Sequence, residues 1–237
     1  MLVLLPFGVS AGSQDSAHHT LDVQLNPQES SLIVTDMVRF SNGTQQQHLF
    51  RLNAGLQVTS TDGSIERVSR QASRDHQLYR LTPDRDKDTI TLKIEGNLQI
   101  PDYAGMGGMP SAVISTEGVY LDGGSAWYPQ FDGIIAGFDM RVSLPEDWQS
   151  ISQGKRSLPD GKQLWTSTTP EQEIYLVAGP FTRYMQQHDD IDLSVYLLTP
   201  DEALANTYLR TMGGYIDRYS RLIGDYPFPK FAVVENR

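Results

Sequence analysis

The fold of this chain is indicated most clearly by one central stretch, which reads Phe138-Asp139-Met140-Arg141-Val142-Ser143-Leu144-Pro145. Apolar and polar side chains alternate strictly along it, and the stretch ends at a proline. A period of two places one set of side chains on a buried face and the other set in water. The stretch therefore predicts a half-buried β-strand.

The same pattern extends in both directions, from about residue 19 to about residue 198. Short alternating runs such as Leu21, Val23 and Leu25 are separated by turn residues such as Asp62-Gly63 and Gly96-Asn97. Many short strands with frequent turns are typical of a β-sandwich or of a large curved antiparallel sheet. We therefore predict a mainly β domain over residues 18–198.

The period changes after residue 198, where a helix is predicted. Thr199 is the expected N-cap, Pro200 the first helical residue, and Glu202 completes a capping box. Gly224 is the expected stop. The predicted core-facing stripe consists of apolar residues spaced by three and four, namely Leu204, Tyr208, Met212, Tyr215, Tyr219 and Leu222.

Two glycines, Gly213 and Gly214, lie in the middle of this helix. Each weakens the helix by about 1 kcal/mol relative to alanine, and either would allow a neighbouring element to pack closely. A strand is predicted at 231–234, after the helix. We expect residues 199–237 to be the truncated start of a second, α/β domain.

The amino-terminal residues suggest an exported protein. Residues 2–11 form a short apolar run, and Val9-Ser10-Ala11 before Gly12 resembles a signal-peptidase site. We expect residues 1–17 to be a leader or a disordered arm and the protein to be periplasmic or secreted; a packed arm is the alternative. No stretch reaches the length that a membrane-spanning helix needs.

Composition excludes several functions. The formal net charge is −10, and the 19 basic residues are scattered, so binding of nucleic acid is not expected. The chain has no cysteine, which excludes disulfides, thiolate metal sites and cysteine nucleophiles.

The motifs that usually mark an active site are missing from these residues. The sequence has no HExxH, no GxSxG and no phosphate-binding loop. His18 and His19 are expected to be exposed. His188-Asp189-Asp190 is expected to be a turn, because neighbouring strand residues point to opposite faces and could not share one ion. No catalytic residue, metal ligand or cofactor is therefore predicted within this chain.

Two segments are candidates for a ligand-binding rim. Residues 101–110 combine glycines, prolines and two methionines, and are expected to be a surface loop or a mobile rim over a cleft. Residues 117–132 are rich in glycine and aromatic residues, including Trp127, Tyr128 and Phe131. The aromatic residues are expected either to close the sheet as a packed corner or to contact a ligand directly.

The order of these motifs resembles the aminopeptidase N family of zinc peptidases. The similar segments are residues 127–132 (WYPQFD) followed by the strand at 138–145, residues 175–181 (YLVAGPF), and residues 226–230 (YPFPK). Gln130 and Gly133 stand where many members of that family carry Cys and Glu, which indicates a divergent branch.

The resemblance implies a saddle-like β-domain packed on a thermolysin-like catalytic domain, whose zinc is bound by a later HExxH motif. This chain alone would then be inactive and would form one wall of the cleft for a peptide substrate. Tyr120, and after it Glu117, would line the pocket for the first side chain of the substrate. Glu235-Asn236 would end a strand rather than bind the substrate amine.

Two other functions stay open on the sequence. The chain could be a non-catalytic β-sandwich module that binds a glycan or a protein, since an aromatic-rich turn suits either ligand. It could also be a peptidase-like scaffold that has lost its metal.

Overall fold

The computed structural model describes residues 15–41, 43, 46–68, 75–85, 87–99 and 111–236. The loop at 101–110 and most of the predicted leader lie outside these residues. The regular elements in chain order are β1 (Ser16–Asn26), β2 (Ser31–Phe40), β3 (His48–Asn53), β4 (Leu56–Ser60), β5 (Gly63–Arg67), β6 (His76–Pro83), β7 (Ile90–Asn97), β8 (Ala112–Ser115), β9 (Gly118–Leu121), β10 (Gln130–Phe131), β11 (Ile135–Ser143), β12 (Gln149–Ile151), β13 (Lys155–Ser157), β14 (Gln163–Glu171), β15 (Leu176–Gly179), β16 (Thr182–His188), β17 (Ile191–Leu197), α1 (Glu202–Ile223) and β18 (Lys230–Val234).

The largest sheet has seven strands in the order β13-β14-β11-β1-β2-β7-β4. The alternating stretch at 138–145 supplies most of β11, with Phe138, Met140 and Val142 buried and the residues between them more exposed. Most of the pairs are antiparallel, but β1 and β11 run parallel, with Leu21 opposite Met140. The prediction of a mainly β domain is confirmed, and the sheet is mixed rather than purely antiparallel.

Two four-stranded sheets, β10-β3-β6-β5 and β12-β15-β9-β8, accompany the large one. The aromatic turn before β11 joins them to the core. Trp127 is fully buried and its Nε1 donates a hydrogen bond to the carbonyl of Ile174, 3.1 Å away. The Tyr128 hydroxyl accepts the Ile174 N–H at 3.0 Å, and the Phe131 ring packs edge-on against Phe40. Of the two interpretations of this turn, the packed aromatic corner is the one observed.

His19 corrects a prediction. It was expected to be exposed, but it is 2% exposed, and its Nδ1 lies 2.8 Å from Oδ2 of the buried Asp36. The reason is the alternation of β1, which places His19 on the same inner face as Leu21 and Val23. His18 points the other way and is partly exposed, with its Nε2 2.9 Å from Asp139 Oδ2.

The last sheet is β16-β17-β18, in which β16 and β17 form a hairpin and β18 returns parallel to β17 through α1. Strands on both sides of residue 198 therefore pair in one sheet, and the domain boundary at that residue stays a prediction. A second hydrophobic cluster lies between the helix and the sheet, formed by Leu193, Val195, Leu197, Ala205, Leu209, Met212 and Ile216.

The helix differs from its prediction at both its start and its buried face. It begins at Glu202, and the N-cap is Asp201, whose Oδ1 accepts the Leu204 N–H at 2.8 Å. The cap at Thr199 was therefore wrong, because the Asp201 carboxylate is placed to accept a charge-assisted bond from the first turn. The helix ends before Gly224, as predicted.

The predicted core stripe is mostly exposed. Of its six residues only Met212 is buried, while Tyr215, Tyr219 and Leu222 are 52%, 54% and 67% exposed. The buried face is rotated by about 100°, one residue along the helix, toward smaller side chains such as Ala205. We call the exposed stripe, Leu204, Tyr208, Tyr215, Tyr219 and Leu222, the tyrosine face.

Gly213 explains why small residues face the sheet. A Cβ at this position would lie 3.1 Å from Nδ1 of His188, on the β16–β17 hairpin, whereas a Cβ at Gly214 would meet nothing within 4 Å. Close packing at the glycine pair is thus confirmed for Gly213 alone. No helix in the described part of the chain is long and apolar enough to cross a membrane.

Candidate functional site

Tyr120 and Glu117, the two residues predicted to line a substrate pocket, border one cavity of about 440 Å³. The cavity lies between the outer face of the β8-β9-β15 strands and the carboxyl ends of β17 and β18. Its other lining residues are mostly apolar: Val113, Val119, Val177, Ala178, Phe181, Leu198 and Val234, with Ser115, Gly118, Glu235 and Asn236.

The sheet orients Tyr120 toward this cavity. Its neighbours along β9, Val119 and Leu121, are buried, while Tyr120 between them is 36% exposed. Its cross-strand partners are Val113 on β8 and Val177 on β15. Directly opposed residues share a face of the sheet, so these three side chains form an apolar wall.

Acidic groups lie beside the tyrosine. The Tyr120 hydroxyl donates a long hydrogen bond, 3.4 Å, to Oδ2 of Asp122. Burial raises the pKa of Asp122, and the nearby charge on Glu173 also raises it. The Ser125 N–H, which donates a hydrogen bond to Asp122 Oδ1, lowers it. Burial, followed by the charge on Asp122, raises the pKa of Tyr120. Asp122 and Glu173 do not line the cavity, but their negative charge near the Tyr120 hydroxyl favours a positively charged group on this side of it.

Glu173 is held in position by its own contacts. The Tyr175 hydroxyl donates to Glu173 Oε1, and this bond, ahead of burial, raises the pKa of Tyr175 to about 12. The Glu173 side chain lies directly over Gly123, where a Cβ would collide with it. The absence of a side chain at Gly123 is therefore what lets Glu173 approach Asp122.

Glu235 and Asn236 border the same cavity, which sequence reasoning did not predict. Glu235 follows β18 directly; its N–H donates to the carbonyl of Tyr196, and its Oε2 accepts the Leu198 N–H at 2.6 Å. The carboxylate thus ties the ends of β17 and β18 together, which fits its predicted place at the end of a strand. The strand–helix–strand pattern of the sequence could have indicated that Glu235 lies near Leu198. Two strands joined by a helix usually run parallel, and their carboxyl ends then lie at the same edge of the sheet.

A group of possible metal ligands lies where the β16–β17 turn meets α1. In the described part of the chain, one group of three potential ligands occurs, His188, Asp189 and Asp217, with ligand atoms within 4.8 Å of one another. The turn predicted at His188-Asp189-Asp190 is confirmed, with Asp189 at a φ of 50°. This turn brings Asp189 near His188, and α1 supplies Asp217.

These residues do not fit a catalytic zinc ion. His188 Nε2 and Asp217 Oδ1 are 2.8 Å apart, the distance of a hydrogen bond. Tetrahedral zinc with bonds of about 2.1 Å would hold its ligand atoms roughly 3.4 Å apart. The group includes a single histidine, and its carboxylates are exposed. The contact is better explained as a tie between the helix and the β16–β17 hairpin.

Comparison with known proteins gives matches in structure alone. No family model and no curated protein sequence matches this chain. Among solved structures, the chain is similar to an M1 zinc metallopeptidase from Deinococcus radiodurans, at 17% identity and a TM-score of 0.61 over 94% of this chain and 57% of that one. It is also similar to an aminopeptidase N family protein from Idiomarina loihiensis, at 12% identity and a TM-score of 0.60 over 90% of this chain and 38% of that one.

A third similar structure is that of native leukotriene A4 hydrolase from Saccharomyces cerevisiae, at 12% identity and a TM-score of 0.59 over 94% of this chain and 38% of that one. The fold of this chain is thus the fold of M1 zinc metallopeptidases, and it matches their N-terminal domain. The resemblance inferred from the ordered motifs is confirmed at the level of the fold. The chain spans between 38% and 57% of the length of these solved chains.

Proposed function

We propose that this chain is the N-terminal β-domain of a zinc aminopeptidase-like metallopeptidase and forms one wall of its substrate cleft. The observation that supports this role is the shared cavity of Tyr120 and Glu117, bordered by the residues that follow β18. Glu235 and Asn236, the last described residues, lie on this edge of the cavity. The domain therefore contributes shape and charge to a site completed by other residues.

Zinc would be held outside these residues. The sequence contains no HExxH, and the one histidine–carboxylate group of the described residues has hydrogen-bond spacing rather than zinc spacing. When bound in the complete protein, zinc would activate a water molecule for attack on the peptide carbonyl. The residues described here would act on the substrate by binding and orienting it.

The chemistry of the wall suits the amino-terminal residue of a peptide. The Tyr120 ring, with Val113 and Val177 beside it, offers apolar surface to a side chain. Glu117 and Glu235 border the cavity, and Asp122 accepts a hydrogen bond from the Tyr120 hydroxyl beside it. These carboxyl groups offer negative charge to an ammonium group, which a free amino terminus carries at neutral pH because its pKa is about 8. A site with both features distinguishes an amino-terminal residue from an internal one.

The test is the Tyr120→Ala variant of the full-length protein, assayed on amino-acid and dipeptide arylamides together with zinc analysis. We expect wild type to contain zinc and to hydrolyse the substrates. The variant should keep its zinc and its melting temperature while kcat/KM falls about 5- to 30-fold, the effect of losing 1–2 kcal/mol of binding. Ile33→Ala, a change at a similarly exposed strand residue (39%) that does not line this cavity, should leave all three quantities unchanged.

Other outcomes separate the alternatives. Zinc with full activity in Tyr120→Ala would contradict the role of the cavity but leave the peptidase proposal in place. A full-length protein that binds no zinc and cleaves no peptide would contradict the peptidase proposal and favour a metal-free scaffold or a binding module.

A further inference from the structure

A second feature, separate from the Tyr120 cavity, is a cluster of three partly buried cationic side chains. Arg156 on β13, Arg183 on β16 and Lys230 on β18 border one small cavity under Trp165. Arg156 Nε, Arg183 Nε and Lys230 Nζ are all buried, and none has a hydrogen-bond partner among the protein atoms. We call these three residues the basic cluster.

Few protein groups offset the positive charges of the basic cluster or accept its hydrogen bonds. Arg156 Nη2 donates to Gln149 Oε1 and Arg183 Nη2 donates to Ser194 Oγ, so each guanidinium uses a neutral acceptor. The Lys230 ammonium lies 4.2 Å from the centre of the Trp165 ring, a cation–π contact. Within the described residues, no carboxylate oxygen is within 4.0 Å of a side-chain nitrogen of the cluster.

Physical chemistry makes this arrangement costly without an anion. Buried N–H groups that lack acceptors lose the hydrogen bonds that water would give them. Like charges at short range repel more strongly in a protein interior than in water. Burial lowers the pKa of both Arg156 and Lys230, and the charge on Arg183 lowers each of them further.

The size of the cavity selects the ligand. Its volume is about 10 Å³, which is close to the room that a single water molecule needs. A tetrahedral oxyanion is much larger than this space. A chloride ion is also larger than water, but by far less, and the flexible side chains of Arg156 and Lys230 can give the additional room. Arg156 and Arg183 also border an open groove of about 700 Å³, which gives an ion a route to the cluster.

We propose that the basic cluster binds one monatomic anion, chloride, between the two guanidinium groups and the Lys230 ammonium. The bound ion accepts the N–H bonds that Arg156 Nε, Arg183 Nε and Lys230 Nζ leave unmade, and it offsets their mutual repulsion. Because the cluster joins β13, β16 and β18, the ion stabilises the junction between the large sheet and the last sheet.

The other charged groups that face the cluster set its pH dependence. Asp192, Lys155 and Tyr196 border the cavity, and Glu171 raises the pKa of Lys230. Burial nevertheless lowers that pKa from 10.5 to about 7, so above pH 7 the folded protein loses a proton that the unfolded chain keeps. Without chloride, stability therefore rises with pH between about 7 and 10.5, and the benefit of chloride is greatest below pH 7 and fades above it.

The first experiment is thermal unfolding of the full-length protein at pH 6.5 in sodium gluconate, sodium chloride and sodium sulfate at equal ionic strength. We expect chloride to raise the melting temperature in a saturable way, by about 3 °C at ten times its dissociation constant. Lys230→Met should lose this chloride dependence and should melt no lower than wild type in gluconate, because it removes an unpaired buried charge.

The matched control is Lys93→Met. Lys93 is an exposed lysine on β7 that pairs with Glu95, and its variant should keep the full response to chloride. Coincident melting curves in chloride and gluconate for wild type would overturn the proposal. So would a response to sulfate as large as the response to chloride, since the site would then accept a larger oxyanion.

A direct measurement keeps the test independent of how the variants fold. Crystals of the full-length wild-type protein soaked in sodium bromide should show an anomalous peak between Arg156, Arg183 and Lys230. Bromide peaks confined to the protein surface, with none at the cluster, would overturn the proposal even if chloride changed the melting temperature.

Discussion

The two hydrophobic clusters of this molecule differ in how completely they are covered. The main cluster is enclosed mainly by the seven-stranded sheet and the two four-stranded sheets, and large members such as Trp127, Phe138 and Trp165 are almost fully buried. The second cluster has seven buried residues between α1 and the last sheet. The tyrosine face, about 100° around the same helix from this cluster, is exposed.

This difference separates a region that completes its own core from a region that does not. As an amphipathic helix normally does, α1 places polar residues opposite its buried side, but three tyrosines and two leucines are exposed on the flank about 100° from that side. An apolar groove of about 440 Å³ continues from Tyr215 and Tyr219 to Tyr226 and Phe231. Exposed apolar surface of this extent is typical of an interface.

The largest expected effect tests the completeness of the main cluster. Phe138→Ala should lower the free energy of unfolding by about 3–5 kcal/mol, because the fully buried ring leaves a cavity between well-packed sheets. Leu209→Ala in the second cluster should cost less, about 2–3 kcal/mol, because the helix is free on one side to shift toward the cavity. Urea unfolding followed by circular dichroism measures both, and equal losses would contradict the comparison.

The next effect tests how tightly α1 contacts the hairpin. Gly213→Leu should cost about 1–3 kcal/mol, because its side chain would enter the space of the His188 ring. Gly214→Leu, one residue further on, should instead raise stability by about 0.5–1 kcal/mol, since it meets open space and favours the helix. Changes of the same sign at both positions in urea unfolding would show that the helix does not pack as described.

A smaller effect is expected where α1 is tied to the hairpin by charge. Asp217→Asn removes the negative charge beside His188 Nε2 but keeps an oxygen that can accept its hydrogen bond, and Asp217 is 54% exposed. Solvent screens such a pair, so the loss should be at most about 1 kcal/mol. The difference between variant and wild type should shrink further in 1 M salt. A loss that is large and independent of salt would indicate a different role for Asp217.

The smallest effect on stability is expected on the tyrosine face. Replacing Tyr215 and Tyr219 by serine should change the free energy of unfolding by less than about 0.5 kcal/mol per site, because both rings are more than half exposed. The same double variant should reduce self-association of residues 1–237 expressed alone, measured by analytical ultracentrifugation. Unchanged association, or a large loss of stability, would show that this face is not an open interface.

Several features could be predicted from the sequence because they depend on neighbours along the chain. The alternation at 138–144 determines a strand whatever surrounds it, since its period of two matches one face of a sheet. The change of period after residue 198 similarly indicates a helix. The aromatic turn could be recognised because large rings beside glycines and proline rarely stay in water.

Other features required the tertiary structure because they depend on residues distant in sequence. Asp36 buries His19 only when β1 and β2 pair in the observed register. The buried face of α1 includes Gly213, which packs closely against His188. Hydrophobicity alone favoured the face that carries the tyrosines. Tyr120 shares a cavity with Glu235 only because β18 returns parallel to β17. Local patterns determine which segments form strands and helices, whereas close packing between distant segments decides which side chains meet.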